Sequence, residues 1–327
     1  MTSFPVVPLP NWPAGGLPSG MMSDQIREWV ESPALAALVK AFGGEVPDGP
    51  LTDQLAYLEG FSAVWDSRAG GERFNARYRD YTDDIDGLIM DTTGALGLAD
   101  RQRPQRSHYD HVLVLGGGRI TGRARSRYAA HLLETGVSTE TVVGLGSLRV
   151  LPPAGESVDP GSAADLTEGD AMQRGLREAF AATGPTEERA GTTADGNDWW
   201  VRSYPCADRT VYVVAAPSRR PGQRANTADT LHGWADLVRR PTAAETVLLV
   251  TTDLYVPFQH VDAITTLGVE LRCGIETVGF DRRSFAHWPS GPGDPGELLQ
   301  ETRSAIHSLQ RLLDRVADAE RMSDVEV

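Results

Sequence analysis

Three consecutive glycines, Gly116, Gly117 and Gly118, follow the apolar run Val112–Leu115 and precede Arg119, Arg123, Arg125 and Arg127. An apolar run, a glycine turn and the segment YAAHLLETG spell a buried strand, a tight turn and a helix start. Such a turn presents backbone N–H groups and the positive end of a helix dipole to open space, which suits an anion. The amides of Gly116 to Arg119 are therefore expected to hold a negatively charged group. Gly116, Gly118 and Gly122 also make a relaxed dinucleotide-type pattern. That fingerprint wants an acid at the end of the next strand to hold a ribose, and VVGLGSLR supplies none. NAD(P) is thus a weaker reading than a small anionic or nucleotide-like ligand. Glycines that only permit a tight turn are the third alternative.

Other catalytic motifs are missing. There is no nucleophile elbow, no phosphate-binding loop with its lysine, no zinc-protease helix and no calcium loop. Ser147 follows a glycine at a strand end, but no histidine is placed by sequence to activate it. His260 (VPFQHVDA) and His232 (TLHGWADL) fit a helix surface or a satisfied structural position better than a ligand site. Cys206 and Cys273 are far apart and show no metal spacing, so no metal is expected.

The elements that must position these residues fall into two regions. Residues 1–22 are rich in Pro and Gly and are expected to be disordered or loosely packed. Residues 23–107 read as a helical domain, and 108–327 as an α/β domain with a long C-terminal helix. In the second region, HVLVLG, ETVVGLG, TVYVVAAP, ETVLLVTT and VELRCGIETVGF alternate with helical segments. Thr167 with Asp170, and Asn226 with Asp229, have the spacing of helix caps. Apolar runs this continuous require a Rossmann-like, mostly parallel sheet with helices on both faces. Ligands then bind beyond the carboxyl ends of the strands, where the loops after Leu115, Gly144, Ala216 and Thr251 converge.

The 327 residues allow one large α/β domain plus a second unit. A net charge of −14 argues against a nucleic-acid partner, which needs a basic face. No run of apolar residues is long enough to span a membrane, the first twenty residues lack a signal-peptide pattern, and cysteine is scarce, so a cytoplasmic protein is expected. With a single lysine, Lys40, nearly all basic charge is arginine, as a GC-rich, actinobacterial genome would give.

The series LVLGGG, an arginine followed by YAAHLL, VVGLGS, the acid of EGDAMQRGL, NTADTL and VLLVTTDLYVPFQ resembles the SanA/YdcF/ElyC family, domain of unknown function 218. The resemblance covers about residues 110–280 and implies a Rossmann-like fold. Carried over position by position, it marks Gly116, Gly117, Gly118, Arg127, Gly146, Glu168, Asn226, Thr227, Thr251 and Thr252. Tyr255 stands where the family has a histidine, and Phe258 where it has an arginine. Arg149 and His260 are the residues at hand to replace that charge. The resemblance admits S-adenosylmethionine as a ligand. It does not carry an envelope role to a chain with no anchor.

The expected protein therefore holds a small anionic or nucleotide-like metabolite between Gly116–Arg119 and the helix starting at Asn226, with Arg127 adding charge-assisted bonds. Ser147 and Tyr255 belong to the same crevice. Glu168 is the first candidate for a general acid/base, and Asp253, after a strand end, the second. If catalytic, the chain is a transferase or hydrolase of a phosphorylated or nucleotide-like compound. The alternative is a non-catalytic binding or accessory protein that has lost the family's pocket histidine and arginine. A homodimer through the N-terminal helices and the last helix is a further expectation.

Overall fold

The computed structural model describes residues 4–68, 76–99, 103–152, 167–183, 187–206, 209–220, 222–284 and 294–325. Four helices come first: α1 (Met21–Val30), α2 (Pro33–Ala41), α3 (Leu51–Phe61) and α4 (Asp83–Thr93). The strands are β1 (His111–Val114), β2 (Thr141–Ser147), β3 (Glu187–Thr192), β4 (Asp198–Cys206), β5 (Arg209–Ala216), β6 (Thr246–Thr252) and β7 (Gly274–Phe280). Between and after them lie α5 (Arg119–Glu134), α6 (Glu168–Ala179), α7 (Thr227–Leu237), α8 (Val256–Ala263), α9 (Val269–Leu271) and α10 (Pro295–Val325).

The sheet runs β3-β4-β5-β2-β1-β6-β7. The five strands from β5 to β7 are parallel, while β4 lies antiparallel to both β3 and β5. The fold is therefore the expected α/β class with a mostly parallel sheet. Each central strand is buried on both faces, which explains the unbroken apolar runs. Leu113, Leu115, Val143 and Leu249 point to the face covered by the N-terminal helices, α7, α8 and α10. Val112, Val114, Val142 and Val250 point to the face under α5 and α6. The chain moves outward from β1 through β2 to β5, then crosses to β6 on β1's other side. The loops after β1 and β6 therefore diverge, leaving the crevice that this topology reserves for ligands.

The antiparallel edge strand β3 (EERAGT) has no counterpart in the sequence reading. It is charged and exposed along most of its length, so no apolar alternation marks it. A second difference concerns the start of the chain. Residues 4–22, expected to be loose, are packed: Val7 N–H donates to Ala95 O at 2.8 Å, and Ile275 N–H on β7 donates to Trp12 O at 2.9 Å. Trp12 is buried and covers the outer edge of β7. Proline and glycine keep residues 4–20 out of a helix, but not out of the packing. The N-terminal helices share their core with the sheet, since Ile26, Leu35 and Leu55 belong to the same apolar cluster as Leu113, Leu249 and Leu309.

Candidate active site

Leu115 continues β1 by donating its N–H to Val250 O at 3.0 Å, and the glycine turn follows. A Cβ on Gly116 would collide with Leu145 O and come within 3.0 Å of Glu168 Oε1. A Cβ on Gly146 would lie 2.8 Å from Gly169 Cα. Gly117 would crowd Thr121, and Gly118 is the N-cap of α5. Gly116 and Gly146 thus let β1, β2 and the start of α6 approach closely enough to bring Glu168 onto the glycine turn.

Beneath the turn lies Arg125, which is buried. Its Nη1 donates to Leu115 O at 3.0 Å and also to Gly116 O, and its Nε donates to Thr252 Oγ1 at 3.1 Å. The guanidinium sits 5.5 Å from the centroid of the Tyr255 ring. In a trans peptide the N–H points opposite to the preceding carbonyl. With both carbonyls turned onto Arg125, the N–H groups of Gly116 and Gly117 point away from it. Arg127, the arginine expected in the crevice, is exposed on α5. Two positions on an α-helix differ by about 200°, so Arg125 and Arg127 cannot face the same way. Arg119 reaches back to donate Nη1 to Pro152 O at 2.5 Å.

The acidic side of the site is built on the α6 cap. Thr167 and Asp170 form the expected capping box, which fixes Glu168 as the first helical residue. Ser147 Oγ donates to Glu168 Oε2 at 2.6 Å, and Arg149 Nη2 lies 3.5 Å from Glu168 Oε1. Arg149 N–H donates to Ser147 Oγ at 3.2 Å, and Glu168 N–H to Arg149 O at 2.9 Å. The carboxylate is thereby oriented through one oxygen, while its other oxygen lies beside Gly116 and Arg149.

Across the crevice, Asn226 and Asp229 form the second expected capping box and start α7 with Thr227. Gly116, Arg149, Glu168, Asn226 and Thr227 border one cavity of about 480 Å³. Thr251 and Thr252 are wholly buried beneath it, where Thr251 donates to Gln259 Oε1 and Thr252 accepts from Arg125. Tyr255 is also buried, its hydroxyl donating to Glu297 Oε1 at 3.4 Å. Phe258 reaches the cavity. Of the two residues available to restore charge, Arg149 reaches the cavity, whereas His260 bonds Pro10 O at 2.6 Å and Thr277 Oγ1 at 3.0 Å.

Asp253, the second acid/base candidate, is not among the residues that border the cavity. It pairs with Arg282 at 2.9 Å, accepts from Leu254 N–H at 2.8 Å, and both side chains of the pair are almost wholly buried. Burial raises its carboxyl above the usual range, with Arg282 opposing. A strand-end acid in this fold can point into the core as readily as into the crevice.

The sequence reading missed the far wall. It consists of Arg68, Arg224, Gln259, Asp262 and one face of α10, including Glu301, Ser304, Ser308 and Arg311. Arg311 pairs with Asp262 at 2.8 Å, and Arg68 pairs with Glu301. The α10 positions are spaced three, four and three apart, one stripe of the helix beside its apolar stripe. That stripe was the available signal, but nothing in the sequence says what it faces. Among the described residues, no three His, Cys, Asp or Glu side chains converge as a metal site, and no helix is long and apolar enough to cross a membrane.

A family model described as the Rv3785 N-terminal domain matches residues 14–97. The whole chain is similar to the uncharacterized protein Rv3785 of Mycobacterium tuberculosis and to the uncharacterized protein Mb3814 of Mycobacterium bovis. Each alignment is 31% identical over 353 residues and covers 98% of this chain and 97% of the relative. No solved structure matches the chain.

Proposed function

The chain belongs to the Rv3785 family, and we propose that the crevice between the glycine turn, α7 and α10 binds a small anionic or nucleotide-like metabolite in the cytoplasm. The observation that carries this reading is Glu168. Its carboxylate is oriented by Ser147 at 2.6 Å and flanked by Arg149 at 3.5 Å, on the border of a cavity of about 480 Å³. A cavity of this size suits a small molecule. Arg149 supplies a charge-assisted donor for an anion. Glu168 supplies a base or acid for a hydroxyl or water at the same place. A transferase or hydrolase acting on a phosphorylated compound fits these groups, as does the resemblance to the SanA/YdcF/ElyC family.

A second reading rests on Tyr255 and Phe258, which stand where that family has histidine and arginine. With Tyr255 turned into the core against Glu297, the crevice can bind without turning over.

A thermal-shift screen against nucleotides, S-adenosylmethionine and sugar phosphates separates the two. A ligand should raise the midpoint by mass action, and Arg149→Ala should remove the rise. If the chain is an enzyme, Glu168→Gln keeps the rise and loses turnover by about 10²–10⁴-fold. Binding without product in the unsubstituted chain supports the second reading. A rise unaffected by Arg149→Ala contradicts the proposed site.

A further inference from the structure

Resting on the crevice reading above, we infer that the ligand is a hydroxyl-rich monophosphate of the sugar-phosphate class rather than a nucleotide. The lining carries both signs of charge: Arg68, Arg149, Arg224 and Arg311 against Glu168, Asp262 and Glu301. The three carboxylates pair with Arg149, Arg68 and Arg311 within the lining, so a bare anion would compete with them for those arginines. A carboxylate keeps acceptor positions beyond one ion pair, so a ligand that adds hydroxyl donors to its anionic group can use both sets without breaking the pairs.

The neutral hydroxyls of the lining make the same demand. Ser304 Oγ donates to Gln300 O at 3.1 Å, and Thr230 Oγ1 donates to Thr227 O at 2.8 Å. A hydroxyl has one donor and two acceptor positions. With their protons committed to their own helices, these two groups offer acceptors to the cavity. Sugar hydroxyls supply the matching donors. A nucleobase is mostly ring surface, and its recognition relies on stacking or apolar contact. Phe258 is the sole Phe, Tyr or Trp among the described lining residues, and it packs edge-to-face on Tyr255 at 5.9 Å. The other aromatic ring in the lining, the His307 imidazole, pairs with Glu59 at 2.5 Å, so both rings are already engaged by side chains that do not border the cavity.

The two walls divide the work. The α7 start, Arg224 and Arg149 take the phosphate, where helix dipole and guanidinium charge add. Asp262 on α8 and Glu301 and Ser304 on α10 take the hydroxyls.

Isothermal titration of the full chain with ribose 5-phosphate, glucose 6-phosphate, AMP and inorganic phosphate tests this. AMP carries the ribose and phosphate of the first probe plus a base, so that pair isolates the base. At least one sugar phosphate should bind tenfold or more tighter than AMP and inorganic phosphate. Ser304→Leu, which fills the hydroxyl side, should abolish that advantage. AMP binding as tightly as the sugar phosphates, or a preference that survives Ser304→Leu, overturns the inference while leaving the crevice reading intact. Binding of none of the four probes overturns both.

Discussion

Asp253 and Arg282 meet at 2.9 Å with both side chains almost wholly buried. Removing one partner of such a pair strands a charge in the core, at a typical cost of about 3–5 kcal/mol. Asp253→Ala should therefore lower stability by that order in urea unfolding, through Arg282 rather than through the crevice. Unchanged stability with lost turnover would instead return Asp253 to the chemistry. The arginines of α5 show how far single residues were legible. The resemblance put Arg127 in the crevice, but that residue is exposed and Arg125 is the buried one, bonded to the carbonyls under the glycine turn. The helical phase at which α5 meets the sheet decides this, and no local pattern encodes it. Gly116 and Gly146 were legible as special positions, but for a ligand's approach. Their observed role is to let Glu168, Gly169 and the strand ends come together.

At the scale of elements, the parallel strands and both capping boxes could be read directly, because each rests on local physics of period or spacing. β3 and residues 4–22 could not, because only their neighbours make them ordered. The first residue of β1 carries a testable consequence. His111 is buried, with its ring 5.2 Å from that of Trp234 and its Nε2 3.6 Å from Glu245. Burial holds the imidazole below the usual histidine range, although Glu245 pulls the other way. His232 on α7 is shifted down by burial as well. In the unfolded chain these histidines take up protons at ordinary histidine pH, while the native ones resist. The unfolded state then binds more protons, so stability falls as pH drops through that range. The urea midpoint should be lower at about pH 5.5 than at about pH 7.5, and His111→Phe should shrink the difference without removing the part due to His232. A midpoint that rises on acidification would contradict this.

At the scale of the whole molecule, the change of sequence grammar near residue 108 is real, yet it does not divide the core. α10 packs against α3, α4 and α8, and its polar stripe forms the far wall of the crevice. The N-terminal helices therefore help set the position of a wall whose other side is the sheet. No local pattern could reveal this, since it depends on which face of α10 the helices cover. This composite crevice is the ligand site we propose. Amide hydrogen exchange on the full chain, with and without saturating ribose 5-phosphate, tests it most directly. A ligand seated there adds protection at Leu115–Gly118, Glu168–Gly169, Asn226–Thr230 and the α10 stretch from Glu301 to Arg311. Protection confined to the separate cavity of about 400 Å³ beneath Pro8–Pro13, or none at all, would contradict it.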